Sequence, residues 1–166
     1  MNKRKVIIDT DPGIDDLLAI SLALVSEELD ILALSTVFGN VNLEHTTKNA
    51  QLICDMLEKD IHIIKGAEKP LVYSRKQSAG VHGEDGMGGL RNKYRPTTPI
   101  KNEINVGISK LHKIIKESDE KVTIIALGPL TNIATLLLAD ETIKDNIEEI
   151  HIMGGGFAMG NVNELV

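Results

Sequence analysis

Aromatic side chains are scarce in this sequence of 166 residues: they make up 2% of the chain, and tryptophan is absent. Proteins that bind single-stranded nucleic acid stack the bases on aromatic rings, so no such platform is expected here. Basic residues are also in the minority, with 18 lysines and arginines against 24 acidic residues and a formal net charge of −6. This balance argues against nucleic acid as a partner.

Cysteine and long apolar runs are scarce as well. The single cysteine, Cys54, cannot form an internal disulfide, which favours a reducing, cytoplasmic compartment. No apolar run reaches the roughly 18 residues that cross a bilayer, so no membrane partner is expected. The first apolar run, 6–8, stops at Asp9, which disfavours a signal peptide. With 42% hydrophobic and 25% charged residues, the composition is that of a globular protein.

What the sequence does contain is an alternation of short β-rich runs with amphipathic helical patterns. Strands are predicted at 5–8, 29–38, 61–64, 122–127 and 149–153, and helices at 16–26, 43–59, 103–117 and 130–139. Such alternation indicates βαβ units, and strands that are apolar at most positions suit a buried parallel sheet. The predicted fold is α/β, with an open, mostly parallel sheet and helices on both faces. The segment 66–102 shows no periodicity and is interpreted as a long functional loop.

Polar, glycine-rich turns follow the predicted strands at their carboxyl ends. These turns are 9–16, 38–40, 128–132 and 154–161. The turns at the opposite ends of the strands are plainer. In an open parallel sheet, ligands bind at the carboxyl ends of the strands, so we expect the functional site at this edge.

The turn after the first strand carries four aspartates within eight positions and no basic residue. Carboxylates this close repel one another, so either some are protonated or a cation joins them. Oxygen ligands of this kind suit a hard cation, Ca²⁺ or Mg²⁺. A plainer interpretation is that Asp15 and Asp16 cap the following helix, but it leaves Asp9 and Asp11 unexplained.

The other features have ordinary interpretations when each is taken alone. Thr131 is a candidate helix N-cap, Asn40 a turn residue, His82 a solvated loop residue and Cys54 a core residue. The glycine run 154–156 is a candidate flexible turn. Neither the dinucleotide-binding G-x-G-x-x-G pattern nor a phosphate-binding P-loop is present, which disfavours dinucleotides and nucleoside triphosphates as ligands.

In combination, these stretches resemble a known family. The run Asp9-Thr10-Asp11-Pro12-Gly13-Ile14-Asp15-Asp16 is similar to the N-terminal signature of the inosine-uridine-preferring nucleoside hydrolases. Further stretches agree in the family's order: Phe38-Gly39-Asn40, Val81-His82-Gly83-Glu84-Asp85-Gly86, Gly128-Pro129-Leu130-Thr131-Asn132, Met153-Gly154-Gly155-Gly156 and Gly160-Asn161. The resemblance implies a Rossmann-like nucleoside hydrolase fold. It also implies hydrolysis of the N-glycosidic bond of a ribonucleoside to a free base and ribose.

The resemblance further implies one bound Ca²⁺. Its ligands would be the side chains of Asp11 and Asp16 and the backbone carbonyl of Leu127. Asp11 also resembles the general base that takes a proton from a calcium-bound water. This assignment agrees with general chemistry, because a metal can acidify and orient water and a neighbouring carboxylate can accept its proton.

The implied substrate-binding residues are spread along the chain. Asp15 and Asn40 resemble residues that bind the ribose hydroxyls, and Asn161 and Met153 are expected near the sugar. His82 resembles a histidine near the nucleobase. The transition state is expected to be similar to an oxocarbenium ion, as in glycoside hydrolysis.

Members of this family are longer than the present chain. Residues 1–166 are therefore expected to be the N-terminal portion of a single nucleoside hydrolase domain whose C-terminal half is absent. The family's second half is implied to supply a further calcium-binding aspartate and a histidine that protonates the leaving base. Alone, the chain is expected to be weakly active or inactive, and the full-length protein is expected to be a homo-oligomer.

Three alternatives stay open at this point. The chain could be a non-catalytic calcium- or ribose-binding module, or a remnant that associates through an exposed sheet edge. The run Asp9-Thr10-Asp11 is also similar to the start of the haloacid-dehalogenase-like phosphatases, in which the first aspartate is a nucleophile. Those proteins usually carry Thr or Val at the position where this sequence has Gly13.

Overall fold

A computed structural model of the chain describes residues 3–72, 81–94 and 104–155. The strands are β1 (Arg4–Thr10), β2 (Leu29–Thr36), β3 (His62–Lys65), β4 (Ile104–Val106), β5 (Val122–Ala126) and β6 (Ile147–Ile152). The helices are α1 (Ile14–Val25), α2 (Leu43–Met56), α3 (Leu90–Lys93), α4 (Ile108–Glu117) and α5 (Thr131–Ala139), followed by a 3₁₀ helix (Glu141–Asn146). None of the helices in these described ranges has the length and apolar character needed to span a membrane.

The six strands form one sheet in the order β4-β3-β2-β1-β5-β6, and every neighbouring pair is parallel. The chain builds the sheet outward from β1 through β2 and β3 to β4, then crosses to the other side of β1 for β5 and β6. The predicted α/β fold with an open parallel sheet is therefore confirmed. The strand order reverses between β1 and β5, and in open parallel sheets ligands bind at the carboxyl ends of the strands at such a point.

Helices cover both faces of the sheet, as predicted. Successive strand residues point to opposite faces, so Val6 and Ile8 pack with α1 and α2, whereas Ile7 packs with α4 and α5. On the first face the fully buried side chains include Ile20 of α1 and Ile53 of α2. The two apolar clusters pack against β1 from both sides and thereby fix the position of the loop that follows it.

The helix predicted at 103–117 is wrong at its beginning. Ile104–Val106 is a strand, β4, and α4 starts at Ile108. Gly107 separates the two elements with a φ of 94°, a left-handed backbone conformation that other residues adopt only under strain. The apolar spacing of Ile104 and Ile108 imitates a helix, but the β-branched residues before the glycine belong to the sheet.

The long loop predicted over 66–102 also contains one regular element. Residues 81–89 form a series of turns, and the short helix α3 follows them. Residues 73–80 and 95–102 of this segment lie outside the described ranges.

A buried hydrogen-bond network ties the carboxyl ends of β1 and β2 to the start of α5. The side-chain nitrogen of Asn132 donates to Asp9 Oδ1 at 2.8 Å and lies within 3.1 Å of both Ser35 Oγ and the Thr36 carbonyl. The side-chain oxygen of Asn132 accepts from the amide of Ala67 at 2.7 Å. One amide therefore sets the relative positions of the turns that follow β1, β2 and β3.

Asp9 is a buried acid at the centre of this network. Burial raises the pKa of Asp9 from 3.8 to about 6, although the hydrogen bonds from Asn132 and Ser35 act to lower it. Its second oxygen, Oδ2, is buried without a hydrogen-bond partner among the described residues. Folding therefore favours the protonated form of this carboxyl at mildly acidic pH.

We expect this acid to make stability depend on pH. A folded-state pKa above the unfolded value stabilises the folded chain below about pH 4, and this contribution is lost as the pH rises through about 6. Relative to the isosteric variant Asp9→Asn, the wild-type chain should lose on the order of 3 kcal/mol of unfolding free energy across this range. Urea denaturation of both proteins at a series of pH values, with a chelator present, measures the difference. The unfolding free energy of the wild type minus that of Asp9→Asn should fall as the pH rises. If this quantity stays constant or increases, Asp9 is not a buried acid with a raised pKa.

Candidate active site

The candidate active site lies at the carboxyl ends of β1, β2 and β5. Backbone hydrogen bonds continue beyond the strands at this edge: the amide of Val37 donates to the Thr10 carbonyl at 3.0 Å, and the amide of Leu127 donates to the Asp9 carbonyl at 2.7 Å. Because β1 runs between β2 and β5, the turn that carries Asp11 is flanked on both sides. The predicted location of the site at this edge agrees with the sheet order.

Asp11 is held in one position by its neighbours. Its Oδ2 accepts from the backbone amide of Asn40 at 2.7 Å, and the side-chain nitrogen of Asn40 donates to the Asp11 carbonyl at 3.0 Å. A Cβ atom at Gly39 would overlap the Asp11 carboxyl group, and one at Gly128 would lie 2.7 Å from Asp11 Oδ1. Glycine at these two positions is therefore needed for space. Leu127, whose carbonyl is the predicted metal ligand, immediately precedes Gly128.

Asp16 is buried at the first turn of α1. Its Oδ2 accepts from the amide of Gly13 at 2.8 Å, and its Oδ1 accepts from the Thr10 hydroxyl at 3.2 Å. Burial raises the pKa of Asp16, and the nearby carboxylate of Asp15 adds to this effect, while the bonds from Gly13 and Thr10 oppose it. The helix-capping interpretation thus describes part of what Asp16 does. It does not account for Asp11, which precedes the helix and binds the turn after β2.

Three of the predicted substrate-binding side chains meet at Gly13. A Cβ at Gly13 would lie 2.9 Å from Asn40 Nδ2, 3.1 Å from Asp15 Oδ1 and 3.1 Å from His82 Cε1. His82 Nδ1 accepts from the amide of Ile14 at 3.3 Å, and its Nε2 is 3.8 Å from Asp15 Oδ1. The long loop therefore brings His82 to the N-terminus of α1. It lies there beside residues 9–16, which we call the aspartate turn. The roles of these residues in substrate binding stay predictions.

Other predicted residues lie elsewhere or outside the described ranges. Met153 follows β6, where its amide donates to the Ala126 carbonyl at 2.8 Å and its side chain is exposed. Asn161 lies outside the described residues. Thr131 is not an N-cap: α5 begins at Thr131, and Leu130 occupies the capping position without a side-chain hydrogen bond. Cys54 is a buried core residue, and burial raises the pKa of its thiol to about 12.

The predicted metal ligands offer oxygen atoms only. Two carboxylates, from Asp11 and Asp16, and one backbone carbonyl, from Leu127, are the ligand type that hard cations prefer. Within residues 3–72, 81–94 and 104–155, no group of three or more His, Cys, Asp or Glu side chains is placed to hold a metal. The two predicted carboxylate ligands would therefore need further oxygens, from water, substrate or another part of the protein, to complete a calcium shell.

Two buried asparagines, Asn132 and Asn49, organise the site and are not among the residues predicted from the sequence. Asn132 joins the strand ends, and Asn49 of α2 donates to the Pro12 carbonyl at 3.0 Å and to the Asp85 carbonyl at 2.9 Å. A signal for Asn49 was present in the sequence, because it stands next to Ala50 on the apolar side of α2. Buried polar side chains are hydrogen-bonded, so an amide at such a position indicates partners on another segment.

Comparison with known proteins shows the family to which the chain belongs. A family model described as inosine-uridine preferring nucleoside hydrolase matches residues 6–166. The non-specific ribonucleoside hydrolase RihC of Escherichia fergusonii is 39% identical over 156 residues, which cover 94% of this chain and 50% of the relative. Uridine nucleosidase 1 of Arabidopsis thaliana is 41% identical over 162 residues, covering 96% of this chain and 47% of the relative.

Solved structures show the same relationship. A purine-preferring ribonucleoside hydrolase from Gardnerella vaginalis superimposes with a TM-score of 0.81 at 34% identity, and the match covers 92% of this chain and 49% of that one. The chain thus spans about half the length of the relatives it matches. The sequence matches are to nucleoside hydrolases, and they decide against the phosphatase alternative that Asp9 and Asp11 suggested. Because the family model matches nearly the whole chain, the protein belongs to the inosine-uridine preferring nucleoside hydrolase family.

Proposed function

We propose that this chain supplies the calcium-binding and ribose-binding side of a nucleoside hydrolase. The enzyme would hydrolyse the N-glycosidic bond of a ribonucleoside and release a free base and ribose. The observation that carries the proposal is the meeting of Asn40, Asp15 and His82 around Gly13, next to the buried carboxylates of Asp11 and Asp16. The printed names of the relatives, a ribonucleoside hydrolase and a uridine nucleosidase, support the substrate class.

The proposed cofactor is Ca²⁺, held by the side chains of Asp11 and Asp16 and the carbonyl of Leu127. The oxygen-only ligand set supports a hard cation. Burial raises the pKa of Asp16, and a bound cation would offset this cost by stabilising the charged form of the carboxylate. When bound, Ca²⁺ would acidify and orient a water molecule and grip ribose hydroxyls.

In the proposed mechanism Asp11 is the general base. Its carboxylate is buried and held by the amide of Asn40, so it can accept a proton from the attacking water without first rearranging. The side-chain nitrogen of Asn40 donates to the Asp11 carbonyl, and we propose that the side-chain oxygen of Asn40 accepts from a ribose hydroxyl. Asp15 is largely exposed and can accept from a second hydroxyl.

The charge of the aspartate turn favours the reaction. As the bond to the base breaks, positive charge develops on the sugar in an oxocarbenium-like transition state. Carboxylates fixed nearby stabilise this charge without reorganising. His82, which lies beside Asp15, is proposed to face the base side of the substrate.

The chain alone is proposed to be weakly active. The described residues offer two carboxylates for the metal, and the relatives contain about as much sequence again that this chain does not match. We propose that this unmatched part supplies the remaining calcium ligand and the acid that protonates the leaving base.

Calcium binding tests the proposed ligand set. Isothermal titration calorimetry should detect Ca²⁺ binding to the wild-type chain, and Asp16→Asn should weaken it by at least about tenfold because one charged ligand is lost. The matched control is Asp30→Asn, which changes a carboxylate at the opposite end of β2 that pairs with Lys5. Equal Ca²⁺ affinities for the wild type and Asp16→Asn would contradict the assignment.

Base release from inosine and uridine tests the activity. We expect the purified 166-residue chain to release base slowly at saturating Ca²⁺, and Asp11→Asn to remove the remaining rate because the general base is lost. Fast, calcium-dependent release would contradict the proposal that the chain alone is weakly active. Ribose binding with no turnover would instead support the non-catalytic binding module.

The space at Gly13 can be tested separately. Gly13→Ala should abolish ribose or nucleoside binding, because the new methyl group would lie about 3 Å from Asn40, Asp15 and His82. The φ of Gly13 is −101°, so alanine introduces no backbone strain and the melting temperature should change little. Gly154→Ala is the control, since Ile152 is the one described residue that its Cβ would approach. Unchanged ligand affinity in Gly13→Ala would show that the ligand does not use these three side chains.

A further inference from the structure

The side chain of Asn49 connects two loops that are far apart in sequence. Asn49 lies in α2 and is fully buried. Its side-chain nitrogen donates one hydrogen bond to the Pro12 carbonyl, within the aspartate turn, and one to the Asp85 carbonyl. Asp85 belongs to the histidine loop, which we define as residues 81–89 and which carries His82. Both N–H bonds of one amide are therefore used to join the two loops.

We propose that Asn49 is a positioning residue that holds the histidine loop at a fixed distance from the aspartate turn and thereby places His82 beside Asp15. The proposal concerns a residue that does not reach the substrate side of the site and acts through the two backbone carbonyls. It rests on the proposed function only in assigning His82 to the base side of a nucleoside. The contacts themselves do not depend on that assignment.

The histidine loop is well ordered within itself. Asp85 Oδ1 accepts from the amides of Met87 and Gly89 at 2.9 and 3.0 Å, and the amide of Gly88 donates to the His82 carbonyl at 2.8 Å. These bonds give the loop its shape but do not attach it to the rest of the protein. Its attachment depends on contacts with other elements.

Three contacts supply that attachment. The side chain of Met87 is buried in the apolar cluster between the sheet and α1 and α2. His82 Nδ1 accepts from the amide of Ile14 at 3.3 Å, which is long for a hydrogen bond. The bond from Asn49 to the Asp85 carbonyl is shorter, at 2.9 Å, and fully buried. Asn49 therefore provides the strong directional contact, whereas Met87 provides burial without direction.

The loop also packs directly on the Asn49 amide. A Cβ at Gly86 would lie 3.0 Å from both Asn49 Nδ2 and Val41 Cγ2, and Gly86 has a φ of 77°. The loop thus passes over α2 at a distance that admits no side chain, and it turns there with a backbone conformation that favours glycine. This close approach ties the height of the loop to the position of the amide.

The two loops differ in how far they depend on Asn49. The aspartate turn has other anchors, namely the bonds from Asn40 to Asp11 and from Gly13 to Asp16. Besides the contacts named above, the described attachments of the histidine loop are the 3.8 Å approach of His82 Nε2 to Asp15 Oδ1 and the closeness of Gly88 to the Ile14 side chain, neither of which is a hydrogen bond. Loss of the amide should therefore loosen the histidine loop and His82 while the calcium ligands keep their positions.

Hydrogen exchange and NMR on the full 166-residue chain test the proposal. In Asn49→Ala we expect the Gly88 amide to exchange at least about tenfold faster than in the wild type, and the His82 ring signals to shift. Amides of β5 should change only as far as global stability changes. The His82 signals are identified by their loss in His82→Gln.

The matched control is Asn42→Ala, on the same helix. Asn42 caps α2 by accepting from the amide of His45, so its loss destabilises the helix without touching either loop. We expect the Gly88 exchange and the His82 signals of Asn42→Ala to match the wild type once the difference in global stability is subtracted. If Asn42→Ala and Asn49→Ala behave alike, the role of Asn49 is merely structural and the proposal is overturned.

Two further variants cover the case in which Asn49→Ala does not fold. Asn49→Asp keeps the shape but turns a carboxylate toward two carbonyl oxygens, and Gly86→Ala displaces the loop from the other side; both should accelerate Gly88 exchange and shift His82. Wild-type behaviour in both would overturn the proposal. Titration of the wild type with inosine separates the proposed nucleoside site from the proposed role of Asn49. Absence of inosine binding counts against the nucleoside site. The role of Asn49 is decided by the exchange data in either case.

Discussion

The buried amide of Asn132 is the contact on which the geometry of this edge of the sheet depends. It reaches Asp9 at the end of β1, Ser35 in β2 and Ala67 after β3, so three turns take their positions from one side chain. Gly66 has no side chain because a Cβ there would overlap this amide. A buried hydrogen-bonding group left without its partner destabilises a protein by about 1–3 kcal/mol. The positions of Asp9, Ser35 and Ala67 are therefore strongly coupled through Asn132.

The sheet order brings the turns held by this network together at one edge. The order of strands reverses between β1 and β5, and the turns after β2 and β5 approach the Asp11 side chain from either side. Apolar clusters on both faces hold β1 by its alternating isoleucine and valine side chains, so the polar turn rests on a rigid base. The acidic groups thus follow a buried central strand of the described sheet, and Gly39 and Gly128 leave room for the turns of the neighbouring strands to approach them.

Much of this arrangement follows from the sequence, and the part that does not follow has a physical reason. Strand–helix alternation predicts the parallel sheet, and the polar turns predict the edge that carries Asp11, Asp15 and Asn40. The strand Ile104–Val106 is missed because apolar residues at helical spacing continue from Ile104 into α4. The strand in fact ends before Gly107, which separates it from the helix. The approach of His82 to Asp15 depends on a tertiary contact between distant segments, which no local pattern encodes.

The tight enclosure of Asp11 has an entropic consequence. Gly39 and Gly128 approach its carboxyl group so closely that the backbone itself bounds the side chain, and the Asn40 amide fixes one of its oxygens. The rotational freedom of this side chain is therefore lost during folding. A ligand that binds to Asp11 does not have to immobilise it again, so more of the contact energy appears as affinity. Under the proposed function, Gly39 and Gly128 would therefore raise ligand affinity by holding the Asp11 carboxylate in place before the ligand binds.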